Sequence, residues 1–217
     1  MQYIKKIALF LIIILNINFI VADEIYDKNQ RGVVLIIGEK GFGSGVIISE
    51  QGHILTNSHV INENPNFEIL LHKNHNLDSY EEYLHEAILL KNDKSKDLAL
   101  LKIKNPRTLL YPVKVSRKMP QIGDKVHAIG HPDLAIWTFT TGYISQIRND
   151  FEWSYKDGSE MVANVYQTQT PIAEGNSGGP LLNDYGNLIG INTFKDFDSN
   201  FQNFSISVEE IVKFLIK

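Results

Sequence analysis

The segment Gly175-Asn176-Ser177-Gly178-Gly179-Pro180 brings together the ingredients of an attacking hydroxyl. A serine that adds to a carbonyl needs small neighbours, so that successive backbone N–H groups can turn toward the oxyanion as it develops, and glycine on both sides permits that turn. Taken alone, Gly-x-Ser-Gly serves equally well as a glycine-rich turn with a solvated hydroxyl, so its meaning depends on partners supplied elsewhere in the chain. A base is available at His59, where the apolar run Ile54-Leu55-Thr56 passes into the small polar turn Asn57-Ser58-His59. A carboxylate is available at Asp97, directly ahead of Leu98-Ala99-Leu100-Leu101-Lys102-Ile103. An Asp at the mouth of a buried strand can be desolvated and still accept from an imidazole N–H, which fixes the tautomer and stabilises the imidazolium. Asp93, in a more polar stretch upstream, is the rival and reads as a solvated loop charge. A hydroxyl, an imidazole and a carboxylate in these roles would hydrolyse an amide or an ester through an acyl-enzyme.

Chain order discriminates among the ways of assembling them. Gly175-x-Ser177-x-Gly179 also fits the nucleophile elbow of α/β-hydrolases, but there the histidine follows the serine, and the last histidine here is His131. An Asp-His-Ser order would need an aspartate well ahead of His59, where only Asp23 and Asp27 occur. The order His59, Asp97, Ser177 is the one available. His72 with His75, and His127 with His131, are conceivable metal pairs, yet neither finds a third ligand at a convincing spacing. No metal and no cofactor is expected.

The elements that must position these groups are short β-branched and aromatic runs separated by turn residues. They are Val33 to Ile37, Val46 to Ile48, His53 to Thr56, Phe67 to Leu71, Ala87 to Leu90, Leu98 to Ile103, Val126 to Ile129, Trp137 to Ile147, Val162 to Thr168 and Leu188 to Thr193. Such spacing argues for an all-β barrel or sandwich. Turn signals fall at Glu50-Gln51-Gly52, Asp157-Gly158 and Asp184-Tyr185-Gly186-Asn187. One helix is well specified: Ser207 and Glu210 form a capping box, Ile206 can staple onto Ile211, and Val208, Ile211, Phe214 and Leu215 share a face. Met119 to Gly123 is the natural crossing between two halves.

The chain has 217 residues, 43% apolar, enough for one catalytic domain or two small subdomains. Its net charge of −4, without blocks of like charge, predicts no attraction to nucleic acid. Lys5-Lys6 followed by the apolar run Ile7 to Leu15, then Val21-Ala22 and Asp23, has the layout of a secretory signal peptide over residues 1–22. An uncleaved anchor over residues 4–22 is the alternative, and membrane contact is expected only in that case. The absence of cysteine leaves stability to packing and removes thiol nucleophiles and cysteine-zinc sites from consideration.

Gly43-Ser44-Gly45-Val46-Ile47-Ile48-Ser49, Leu55-Thr56-Asn57-Ser58-His59-Val60, Asp97 to Ile103, Gly175 to Leu182 and Gly190-Ile191-Asn192-Thr193 together closely resemble the HtrA/Deg-type trypsin-like serine proteases, in the same order. The resemblance runs from about Gly32 to the terminal helix. It implies a chymotrypsin-like, all-β fold of two six-stranded antiparallel β-barrels packed at right angles. The first would span about 30–118 and the second about 119–206, followed by a short C-terminal helix over 207–217, all within a protease domain at 23–217. It implies a catalytic triad of His59, Asp97 and Ser177 at the seam, and an oxyanion hole on the loop Gly175, Asn176, Ser177 using the amides of Gly175 and Ser177. It places the Thr193 hydroxyl near the carboxylate, and a substrate pocket between Thr193, Phe194 and Lys195 on one side and Pro171, Ile172, Ala173 and Glu174 on the other. The implied function is endoproteolysis of polypeptide substrates in extracytoplasmic quality control, in a periplasmic or secreted protein, with homotrimers frequent among such proteases. A catalytically silent binding or chaperone-like module on the same fold, or an esterase, are the competing functions. Asn176 stands where zymogen-type trypsins carry Asp, which argues against activation by propeptide cleavage. The end of the chain soon after the helix leaves no room for a PDZ domain, which puts PDZ-mediated recruitment in doubt. Glu174 stands where the group commonly has Pro and is expected to face solvent.

Overall fold

The computed structural model describes residues 24–38, 41–61, 67–72, 83–155, 158–195 and 202–216. The leader segment 1–22 therefore lies outside the described residues, as does His75; among the described residues no helix is long and apolar enough to cross a membrane.

Among the described residues, twelve strands account for most of the fold. Strands β1 (Val33–Gly38), β2 (Gly41–Ile47), β3 (His53–Thr56), β4 (Phe67–Leu70), β5 (Leu84–Asp93) and β6 (Leu98–Ile103) pair in the order β1-β2-β3-β6-β5-β4, and β4 returns to β1 to close a barrel. Strands β7 (Lys125–Gly130), β8 (Thr138–Ser154), β9 (Glu160–Thr168), β10 (Pro180–Asn183), β11 (Leu188–Lys195) and β12 (Asn203–Ser207) pair in the order β10-β11-β12-β9-β8-β7, and β7 pairs back onto β10. All of these pairings are antiparallel. Ring closure leaves neither sheet with a free edge.

Strand alternation sorts the apolar side chains into three cores. In β1, Val34 and Ile36 point into the first barrel with Ile54, Ile69, Ala99 and Leu101, whereas Val33 joins a shared core between the sheets. That shared core also takes Val46, Leu55 and Leu98 from the first half and Ile129, Val165, Leu182, Leu188 and Ile191 from the second. Val126, Ile144, Tyr166, Leu181 and Ile189 fill the second barrel. Each fully buried aliphatic side chain contributes about 1.5–3 kcal/mol, so the seam is as strongly packed as either interior. The link from Ile103 to Lys125 straddles it: Val113 N–H donates to Ile47 O at 2.8 Å, and Leu188 N–H donates to Lys114 O at 2.8 Å.

The ten runs read from the sequence all carry strands; Pro180–Asn183 and Asn203–Ser207 are the two strands the runs did not include. The run Trp137 to Ile147 extends to Ser154, because β8 keeps pairing with β9 past two register shifts. The terminal helix spans Val208–Ile216, with Ile206 and Ile211 in one core. Its cap is one-sided: Glu210 N–H reaches Ser207 Oγ at 3.4 Å, while the Glu210 carboxylate turns to Lys213 at 3.1 Å and Lys96 at 3.8 Å.

Candidate active site

His59 and Asp97 come from one corner of the first barrel. His59 lies on the single helical turn Ser58–Ile61 that follows β3, and Asp97 closes the 3-10 turn Lys94–Lys96 that leads into β6. Asp93, read as a loop charge, caps that turn by accepting from Lys96 N–H at 3.2 Å and from Ser95 Oγ–H at 2.7 Å. Asp97 itself sits in the left-handed region at φ 52°, which Asp tolerates better than most residues, and its carbonyl accepts from Asn57 Nδ2 at 2.9 Å.

The Asp97 carboxylate is 1% exposed, and an ionised carboxylate so deep needs donors. It has four. Backbone N–H of His59 donates to Oδ1 at 3.0 Å, His59 Nδ1 lies 2.9 Å from Oδ2, Thr193 Oγ1 donates to Oδ2 at 2.6 Å and Tyr155 OH donates to Oδ2 at 2.9 Å. The Nδ1 contact leaves His59 Nε2 as the basic nitrogen. Thr193 is thus beside the carboxylate; its hydroxyl is engaged there rather than facing a pocket.

Ser177 belongs to the loop between β9 and β10, built of two consecutive turns. Asn176 N–H donates to Ala173 O and Gly179 N–H to Asn176 O, both at 3.0 Å, and the third residue of each turn is a glycine with positive φ: Gly175 at +96° and Gly178 at +85°. A side chain at Gly175 would also collide with His131 O and Phe42 Cε2, so both conformation and space require glycine. Asn176 N–H is spent inside the first turn, and its side chain is buried. The amides of Gly175 and Ser177 have no acceptor among the described residues.

Ser44 of β2 clamps this loop to the first barrel. Its N–H donates to Ser177 O at 2.8 Å and its Oγ–H donates to Gly175 O at 2.7 Å. With those two carbonyls held on one side, the two amides are left for a ligand. The Ser177 hydroxyl donates to Thr193 O at 3.0 Å. Beneath the loop, Asp133 N–H donates to Glu174 O at 2.8 Å, and buried His131 accepts from Trp137 N–H at its Nδ1, 3.1 Å away. Burial pushes His131 down to about 4.

Of the expected pocket residues, Pro171 and Glu174 are exposed and Ile172 and Ala173 half-buried. Pro171 O accepts from Thr140 Oγ1–H at 2.9 Å, which fixes that wall. The side chains of Phe194 and Lys195 lie outside the described part of the chain. His127, imagined with His131 as a metal pair, instead places Nδ1 3.0 Å from Thr141 Oγ1 and Nε2 2.8 Å from Asp184 Oδ1. Among the described residues no cluster of three metal-ligating side chains occurs.

Sequence reasoning missed two contributors. Ser44 stands inside a quoted motif, but its clamp depends on which strand faces the second half. Tyr155 carries no sequence signal, since nothing local reports that a hairpin of the second half reaches the first.

The family model for a trypsin-like peptidase domain matches residues 43–191. The chain is 39% identical over 155 residues to "Protease Do-like 1, chloroplastic" of Arabidopsis thaliana, covering 71% of this chain and 33% of that protein. It is 38% identical over 156 residues to "Periplasmic pH-dependent serine endoprotease DegQ" of Escherichia coli, covering 71% and 31%. The crystal structure of a serine endoprotease from Yersinia pestis superposes with a TM-score of 0.73 at 32% identity, covering 90% of this chain and 65% of that one. The chain spans about a third of the length of these curated relatives.

Proposed function

We propose, from the premise that the chain belongs to the trypsin-like peptidase domain family, that it is a serine endopeptidase whose triad is His59, Asp97 and Ser177. The observation that carries this reading is convergence at the seam. A His59–Asp97 pair from the first barrel and a clamped Ser177 loop from the second are joined through Thr193, whose hydroxyl donates to Asp97 and whose carbonyl accepts from Ser177, beside two amides without acceptors among the described residues.

Rotation about the Cα–Cβ bond of Ser177 exchanges Thr193 O for the imidazole as the partner of its hydroxyl. Oγ then adds to the scissile carbonyl carbon as its proton passes to His59 Nε2, and Asp97 holds the Nδ1 side of the imidazolium. The carbonyl oxygen, now an oxyanion, is received by the amides of Gly175 and Ser177. Collapse expels the amine with the proton from Nε2, and water, activated by the same imidazole, hydrolyses the acyl-serine and restores the hydroxyl. Pro171 to Glu174 and Thr193 to Lys195 form the walls for the side chain that precedes the cut bond. Polypeptides are the substrate class, and an exported, extracytoplasmic setting fits both the leader layout and a periplasmic relative.

A fluorophosphonate probe tests the assignment directly: mature protein is labelled at Ser177, and casein is cleaved. Absence of both labelling and cleavage in folded protein rules the reading out. The hydroxyl's contact with Thr193 O favours one second reading, a silent binding module. Suppression of client aggregation by Ser177→Ala, without turnover by wild type, would select it.

A further inference from the structure

Among the described residues, Tyr155 is the side chain that touches both members of the His59–Asp97 pair and has no part in the chemistry described so far. It follows directly on β8 in the turn of the β8–β9 hairpin, where its N–H donates to Ser159 O and its carbonyl accepts from Gly158 N–H, both at 3.0 Å. The hairpin belongs to the second barrel but is fastened to the first: Lys96 Nζ, from the turn that presents Asp97, donates to Val162 O of β9 at 2.7 Å. The Tyr155 ring lies against the imidazole with centroids 4.9 Å apart and a 52° tilt. Its hydroxyl oxygen is 2.9 Å from Asp97 Oδ2, 2.9 Å from His59 Nδ1 and 3.1 Å from Thr193 Oγ1.

The phenol has one hydrogen to give. Thr193 gives its own to Asp97 at 2.6 Å, so it has none left for the phenol. Were the phenol to donate to His59 Nδ1, the ring proton would have to sit on Nε2, and that tautomer cannot take a proton from Ser177. Donation to Asp97 Oδ2 leaves Nδ1–H directed at the carboxylate and at the phenol oxygen's lone pair. Burial, reinforced by the Asp97 charge, raises the phenol above its ordinary range, so it remains a donor throughout the neutral range.

We infer that Tyr155 is a positioning residue for the catalytic base: its hydroxyl, delivered by a hairpin of the second barrel, selects the productive His59 tautomer and holds the Asp97 carboxylate in the plane of the ring. The inference rests on the serine-endopeptidase reading above. It assigns the hairpin a task besides closing its sheet, since the base is correctly set only when the hairpin lies across the first barrel.

The test is Tyr155→Phe, which keeps the ring and removes only the hydroxyl, compared with wild type on a peptide substrate and by fluorophosphonate labelling rate, each normalised to the folded fraction. A hydrogen bond to a charged group contributes about 1.5–3 kcal/mol, so kcat is expected to fall about ten- to a hundredfold with KM within about twofold. Thr193→Val shares the same carboxylate oxygen, so the double variant is expected to depart from the product of the two single losses. Equal kcat and labelling rate for Tyr155→Phe and wild type, or a loss confined to KM, overturns the inference. Wild type that takes no label defeats the protease reading instead, whatever Tyr155 does.

Discussion

The two sides of the seam solve opposite problems. On the first-barrel side every polar atom that matters is occupied: one carboxylate accepts from a backbone amide, an imidazole, a threonine and a tyrosine. On the second-barrel side the loop carbonyls are tied down by Ser44, while two amides stand without an acceptor among the described residues and the hydroxyl rests on a backbone carbonyl. On the proposed reading, the base must keep one geometry whether or not substrate is present, and its environment is complete. On the same reading, the nucleophile and its amides must accept a new group, and theirs is left open at a cost in unpaired donors.

Substitutions that empty one side without touching the other sharpen this contrast. Ser177→Ala is expected to lower kcat about 10⁶-fold by analogy with other triads, with little change in melting temperature, because its hydroxyl makes one half-buried hydrogen bond, to Thr193 O; a large loss of stability would break the contrast. Asp97→Asn is expected to cost about 10⁴-fold in kcat, measured on the same peptide, because an amide presents N–H where the ring and two hydroxyls need an acceptor. Unlike the serine variant, it should also lower the melting temperature, since it disturbs a completed network.

His131 probes the underside of the open loop. Its folded value of about 4 lies below the ordinary 6.5, so the unfolded chain binds the additional proton between those two pH values. Its contribution to stability is whole above pH 6.5 and lost as pH falls toward 4, by at most about 3 kcal/mol. Thermal melts at several pH values should show wild type losing more stability across that window than His131→Gln, which retains an acceptor for Trp137 N–H; parallel losses would refute the assignment. The smallest effect is expected from Ser44→Ala, about 1 kcal/mol in urea unfolding, because one buried hydrogen bond is removed while the backbone contact to Ser177 O survives. Its activity should fall by more than its stability suggests if the clamp sets the direction of the two amides.

The legible parts of the molecule were those with local signatures. Apolar runs such as Leu98 to Ile103 gave strands because their side chains must be buried, and Asp97 stood out because a charged residue abuts such a run. Gly175 and Gly178 were informative because only glycine adopts those turns cheaply. Strand β10 escaped because it begins with Pro180, which has no N–H for a ladder, and β12 because Asn203, Ser205 and Ser207 read as turn and helix-cap residues. Tyr155 escaped because its meaning is tertiary: a tyrosine at a polar hairpin tip looks solvated until the hairpin's length and bulges carry it across the seam. Asp93 was undervalued for a related reason, since its carboxylate serves its own backbone three residues on.

The distribution of parts along the chain also governs when the protein becomes dangerous to its neighbours. Synthesis from the amino terminus delivers His59 and Asp97 long before the hydroxyl, the amide pair or the tyrosine hairpin. A half-made copy therefore owns a base with nothing to activate. Because Ser44 of the first half clamps the late-arriving loop, peptide cleavage on the proposed reading is expected only once the final third of the polypeptide has docked.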